Sequence, residues 1–92
     1  MNLESTFDIP AHVVARQVEG DMVLLDLESG IYFALDPVGA RIWELIADGT
    51  ALGAVRDTML EEFNVEADTL EGDIQALVSD LETRKLIDAR AS

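Results

Sequence analysis

Ile31-Tyr32-Phe33-Ala34-Leu35-Asp36-Pro37-Val38-Gly39-Ala40-Arg41-Ile42-Trp43-Glu44-Leu45-Ile46 changes its hydrophobic period in the middle. Up to Leu35 the large apolar residues alternate, and Ile31, Phe33 and Leu35 are expected on one face of a strand. From Val38 the spacing becomes helical: Val38, Ile42, Leu45 and Ile46 recur on one side, with Trp43 beside them. The switch falls on Asp36-Pro37. Aspartate is a good helix N-cap. Proline suits the first helical position, where its missing N–H is one of the donors that would be unpaired anyway. This stretch is therefore a strand-to-helix junction, and it divides the chain.

Toward the N-terminus the texture is that of strands. Val13-Val14-Ala15-Arg16-Gln17-Val18 is rich in β-branched residues and ends at Glu19-Gly20-Asp21, a turn. Met22-Val23-Leu24-Leu25-Asp26-Leu27 follows, with Val23, Leu25 and Leu27 expected on one face. Glu28-Ser29-Gly30 makes the next break, Gly30 supplying the positive φ of a short hairpin loop. Short turns between successive strands predict an antiparallel meander.

Toward the C-terminus the texture is helical. Asp48-Gly49 ends the first helix, and Thr50 is expected to cap the second. Leu52, Val55, Met59 and Phe63 form the second stripe. A third helix is expected from Ala67 to Arg84, with Leu70, Ile74, Leu77, Val78 and Leu81 on its apolar side. Asp68, Glu71 and Asp73 near its start and Arg84-Lys85 at its end suit the helix dipole. Leu86-Ile87 is expected to fold back onto the core. The predicted fold class is α+β: a winged helix-turn-helix-like module, a three-stranded antiparallel sheet followed by three helices. It forms a single domain over 1–92 with its core at about 13–87.

Composition excludes several functions. The chain has 92 residues, 19 of them acidic and 6 basic, for a formal net charge of −13. Such a chain repels phosphate backbones and anionic lipid, so neither nucleic acid nor membrane is an expected partner. It has no cysteine, which removes disulfides, thiolate metal sites and thiol nucleophiles. Met1–Pro10 lacks a signal-peptide pattern, and no apolar run is long enough to span a bilayer; a cytoplasmic location is expected.

No catalytic constellation emerges. His12 is the one histidine and reads as a partly exposed strand residue. None of Ser5, Ser29, Ser79 and Ser92 lies in a nucleophile elbow. Glu62, Asn64, Glu66 and Asp68 alternate like oxygen ligands, but no glycine stands at the sharp turn and no glutamate closes the loop. Gly49 and Gly53 lack the Lys-Ser/Thr of a phosphate loop. No cofactor, no metal and no catalysis are expected. The second and third helices offer Arg56 and Gln75 among Asp57, Glu61, Glu62, Glu71, Asp73, Asp80 and Glu82, a poor surface for reading base edges.

Peptide binding remains. The third strand of the meander is a candidate free edge, and an unpaired edge offers a row of N–H and C=O groups to an incoming strand. Ile31 to Leu35 contains neither proline nor charge to block it.

The span from Val23-Leu24-Leu25-Asp26-Leu27-Glu28-Ser29-Gly30 through Ile31-Tyr32-Phe33-Ala34-Leu35-Asp36-Pro37 to Gly39-Ala40-Arg41-Ile42-Trp43 resembles the PqqD-like family. Within that family it is most similar to the stand-alone leader-binding proteins of lasso-peptide biosynthesis. Asp48-Gly49, Phe63-Asn64-Val65 and Asp73-Ile74 through Leu81 to Leu86 extend the resemblance over roughly Val13 to Ile87. Asp36 stands where the family often has asparagine; both cap helices. The resemblance implies a recognition element for ribosomally made, post-translationally modified peptides. Such an element binds a precursor's leader segment as an added strand and presents the rest to a leader peptidase or other modifying enzyme. It implies Ile31, Tyr32, Phe33, Ala34 and Leu35 as the ladder, with Tyr32 and Ala34 facing the groove or its rim. Asp73, Ile74, Leu77, Asp80 and Leu81 would supply the facing helix row. If Asp73 and Asp80 line the groove, charge complementarity calls for Lys or Arg opposite them in the leader. The alternatives are a chaperone for the pyrroloquinoline quinone precursor, working with a radical enzyme, and, from another class, a winged-helix DNA-binding regulator.

Overall fold

The computed structural model describes residues 2–90; Met1, Ala91 and Ser92, the last among the serines weighed above, lie outside the described residues. The order is β1 (Phe7–Asp8), β2 (Val13–Val18), β3 (Asp21–Asp26), β4 (Tyr32–Leu35), α1 (Pro37–Ala47), α2 (Leu52–Glu62), α3 (Ala67–Thr83) and β5 (Asp88–Ala89). β2, β3 and β4 form the antiparallel meander, and three helices follow it. The predicted third strand is β4. It begins one residue later than expected, with Ile31 in the approach to it.

Turn chemistry builds the meander. Val18 pairs with Asp21, so Glu19-Gly20 is a two-residue loop. Both residues have positive φ, 52° and 94°, as a type I′ turn requires. The second loop is organised by Asp26. Its Oδ1 accepts from the N–H groups of Glu28 (2.9 Å) and Ser29 (3.3 Å), and its C=O accepts from Gly30 N–H at 2.8 Å. Burial pushes the Asp26 carboxyl up, but these N–H groups, the Ser29 hydroxyl and nearby His12 together hold it below the ordinary aspartate value.

Val23 and Leu25 share one face of β3, as the alternation predicts, and it is the face turned away from the helices. Met22 and Leu24 are buried, whereas Val23 and Leu25 are half-buried and Leu27 is 59% exposed. Both faces of Met22–Leu25 are apolar, so alternation alone had two solutions. Pairing decides: Leu24 lies opposite Phe33 and Met22 opposite Leu35, which puts them on the helix side. Ile31, at the approach to β4, is 63% exposed and lies outside the core.

The helices close the core. Asp36 caps α1, its Oδ1 accepting from Gly39 N–H at 2.7 Å. α1 ends at Gly49 (φ 84°), where Thr50 N–H reaches Leu45 C=O and Gly49 N–H reaches Ile46 C=O, a Schellman closure. α3 closes the same way through Lys85, at φ 60°, with Leu86 N–H on Leu81 C=O. Leu70, Ile74, Val78 and Leu81 of α3 join Ile42, Trp43, Ile46, Val55 and Met59 in the core. Leu86 and Ile87 are buried, as expected.

The cap of α2 differs from expectation. Its N-cap is Ala51, with no side-chain bond from Thr50. Backbone carbonyls of the N-terminal segment do the work instead: Ser5 C=O accepts from Leu52 N–H (3.0 Å) and Leu3 C=O from Gly53 N–H (2.8 Å). A Cβ on Gly53 would lie 3.1 Å from Leu3 Cβ and 3.2 Å from its carbonyl oxygen, so glycine permits the approach. Beyond this contact β1 pairs with β5, buries Phe7 and is tied by Asp8 to Arg90. The N-terminal segment is thereby held away from the edge of β4.

Candidate functional site

Two hydrogen bonds fix which backbone groups the sheet leaves open. Asp26 N–H donates to Ile31 C=O at 3.0 Å. Antiparallel pairs alternate between bonded and non-bonded. The Leu24–Phe33 and Met22–Leu35 pairs are therefore bonded, and the Leu25–Tyr32 and Val23–Ala34 pairs are not. The N–H and C=O of Tyr32 and of Ala34 point away from β3, at an edge with no neighbouring strand. On the other side, Leu27 N–H donates to His12 C=O at 2.8 Å. The same reasoning leaves Ala15 and Gln17 of β2 facing outward. The sheet thus has two open edges.

Among the described residues the β4 edge borders a helix-lined trough. α1 packs on β3 and β4, and α2 packs between α1 and α3, while α3 stands off from β4. Two cavities occupy the space, and Phe33 lies on both. One, of about 220 Å³, is lined by Asp26, Ser29, Ile31, Tyr32, Phe33, Arg84 and Leu86. The other, of about 360 Å³, runs past Leu35, Asp36, Val38, Ile42, Asp73 and Leu77. The first is mainly apolar. Arg84 covers it, its guanidinium 4.8 Å from the Phe33 ring centroid and anchored to Asp80 at 2.9 Å one helical turn back. A cation over an aromatic face is a favourable contact.

The expected site residues separate into three groups. Tyr32 and Ala34 carry the open backbone, and Tyr32 is 71% exposed. Their side chains were expected to face the groove or its rim; they alternate with Phe33 and Leu35, which pair with buried Leu24 and Met22, and so stand on the sheet face away from the helices. Ile31, Phe33, Leu35, Asp73 and Leu77 line the trough, and Asp80 holds Arg84 over it. Ile74 and Leu81 have no exposed surface; they anchor α3 beneath the trough and do not line it. Arg84, Asp36 and Leu86 were not among the expected site residues. Arg84 lies four residues after Asp80, an i,i+4 ion-pair spacing that marks both on one helix face.

Among the described residues no group of three or more His, Asp or Glu side chains is placed to hold a metal ion. No helix there is long and apolar enough to cross a membrane. His12 lies outside the trough, its Nε2 3.3 Å from Lys85 C=O and its Nδ1 3.9 Å from Glu28. An open strand edge beside an apolar trough provides backbone bonds for an extended peptide and pockets for its alternate side chains.

The chain is similar to two solved structures over most of its length. TbiB1, solved in complex with the TbiA(beta) leader peptide, is 33% identical; the match covers 92% of this chain and 99% of TbiB1, with a TM-score of 0.83. A lasso peptide synthetase B1 complexed with its leader peptide is 32% identical over 89% of this chain and 96% of the other, with a TM-score of 0.81. No curated protein matches the chain. The family model for coenzyme PQQ synthesis protein D (PqqD) matches residues 21–87, from β3 to the end of the core. The chain therefore belongs to the PqqD family, as a recognition element of the kind represented by lasso peptide synthetase B1.

Proposed function

We propose that this protein is a non-catalytic adaptor that binds the leader segment of a ribosomally made precursor peptide and presents the remainder to a modifying enzyme. The leader adds as a strand to β4, bonding to Tyr32 and Ala34, and sends alternate side chains into the trough between Phe33, Leu35, Asp73, Leu77 and Arg84. The observation carrying this reading is the coincidence of the open β4 edge with that trough. Both similar structures are leader-peptide complexes, which supports it further. The adaptor acts by effective concentration: a held leader keeps the modifiable segment near an enzyme bound to the same adaptor. The lasso-type pathway is preferred, with a leader peptidase as partner in the cytoplasm. The family model's own description favours a second reading, in which the leader belongs to the pyrroloquinoline quinone precursor and the partner is a radical enzyme.

The test is a fluorescence-anisotropy titration of labelled TbiA(beta) leader peptide, PQQ precursor peptide and duplex DNA with the folded protein. Saturable binding of the TbiA(beta) leader at about micromolar Kd or tighter, without DNA binding, is expected. Preference for the PQQ precursor would move the protein to the second pathway. Failure of both peptides would contradict the adaptor reading, and tight DNA binding would replace it with a regulator.

A further inference from the structure

The wider cavity of the trough has an apolar floor and an acidic rim. Leu35, Val38, Ile42 and Leu77 line it together with Asp36 and Asp73. The carboxylates along the trough differ in what already holds them. Asp80 is paired with Arg84 at 2.9 Å. Asp36 Oδ1 is engaged by Gly39 N–H as the helix cap. Asp73 makes no ion pair or side-chain hydrogen bond among the described residues. The arginines of the neighbouring helices are engaged elsewhere: Arg41 on Glu44 and Glu62, Arg56 on Asp57 and Glu71. A long aliphatic stem ending in a cation fits an apolar floor with a carboxylate at its rim.

Strand geometry says which position of a bound peptide reaches this place. The outward bonds of β4 belong to Tyr32 and Ala34, so the peptide residues beside Phe33 and Leu35 point their side chains to the helix side. The one beside Leu35 enters the Asp73 cavity. The one beside Phe33, two residues along, meets the smaller cavity, where Arg84 is paired with Asp80 and the Asp26 carboxylate is engaged by the N–H groups of its own turn. Resting on the leader-binding reading above, we infer that Asp73 selects a leader carrying Lys or Arg at the position beside Leu35. The groove reads charge there and not at the neighbouring groove-facing position.

A peptide array tests this. Each position of the TbiA(beta) leader is replaced in turn by Lys, Glu and Leu, and the array is titrated with wild-type protein, Asp73→Asn, Asp73→Lys and Asp80→Asn. All four proteins are checked for folding by circular dichroism. The wild type should favour Lys over Glu at one position by about three- to tenfold. Asp73→Asn should flatten that preference and Asp73→Lys invert it, while Asp80→Asn leaves it in place. A leader that binds with no position responding to Asp73→Lys overturns the inference and leaves the adaptor reading intact. A Lys preference spread over all positions and untouched by Asp73→Lys also overturns it, tracing the effect to net charge. Absence of binding to any array member strikes the adaptor reading itself, and this inference falls with it.

Discussion

Glu19 and Lys85 hold φ angles of 52° and 60°, values that cost a residue with a Cβ about 1–2 kcal/mol. Glu19 stands at the first position of the type I′ turn, where asparagine is preferred. Glu19→Asn is therefore expected to raise stability by about 1 kcal/mol, read as a higher urea midpoint at unchanged m-value, with leader affinity unaltered because the turn lies away from the trough. Asp36, Gly30 and Gly49 were legible as cap and turn residues because their chemistry matches their roles. The positive φ of Glu19 and Lys85 was not, because a glutamate and a lysine carry no preference for that region. Of the expected helix row, Asp73, Leu77 and Asp80 are at or over the trough while Ile74 and Leu81 are in the core. Helical spacing names neighbouring stripes, and only the placement of α2 and β4 decides which stripe is covered.

At the scale of elements, the junction at Asp36-Pro37 was readable because the period of the apolar residues changes there, and the order of strands then helices followed. Two features were not readable. The facing of β3 depended on its partner, since Met22–Leu25 is apolar on both sides. The cap of α2 comes from Leu3 and Ser5, distant in sequence, and β1 and β5 are two-residue strands with too few residues to show a period. The two open edges make a controlled comparison. Proline removes a backbone donor, and at outward-facing positions it leaves the internal ladder whole. Ala34→Pro on β4 should weaken leader binding at least about tenfold, while Gln17→Pro on β2 should leave it unchanged. Both should remain folded by circular dichroism. Equal effects from the two variants would remove β4 from the binding site.

Across the whole molecule, 19 acidic residues face 6 basic ones, and four of the arginines serve as ties. Arg41 reaches Glu62 from α1 to the end of α2, Arg56 reaches Glu71 from α2 to α3, Arg90 reaches Asp8 across β1 and β5, and Arg84 holds Asp80 along α3. Hydrogen bonding to these guanidinium groups holds the Glu62 and Asp8 carboxyls below their ordinary values. The ties link α1 to α2, α2 to α3 and β1 to β5, and the β4 edge stays open beside an apolar trough with Asp36 and Asp73 at its rim. The most direct measurement is residue-resolved amide hydrogen exchange of the whole chain, with and without the TbiA(beta) leader peptide. In the free protein Tyr32 and Ala34 should exchange fast while Phe33 and Leu35, bonded to β3, are protected. With leader bound, Tyr32 and Ala34 should become protected while Ala15 and Gln17 on the opposite edge remain fast. A leader that binds and leaves the Tyr32 and Ala34 amides as fast as before would contradict strand addition at β4.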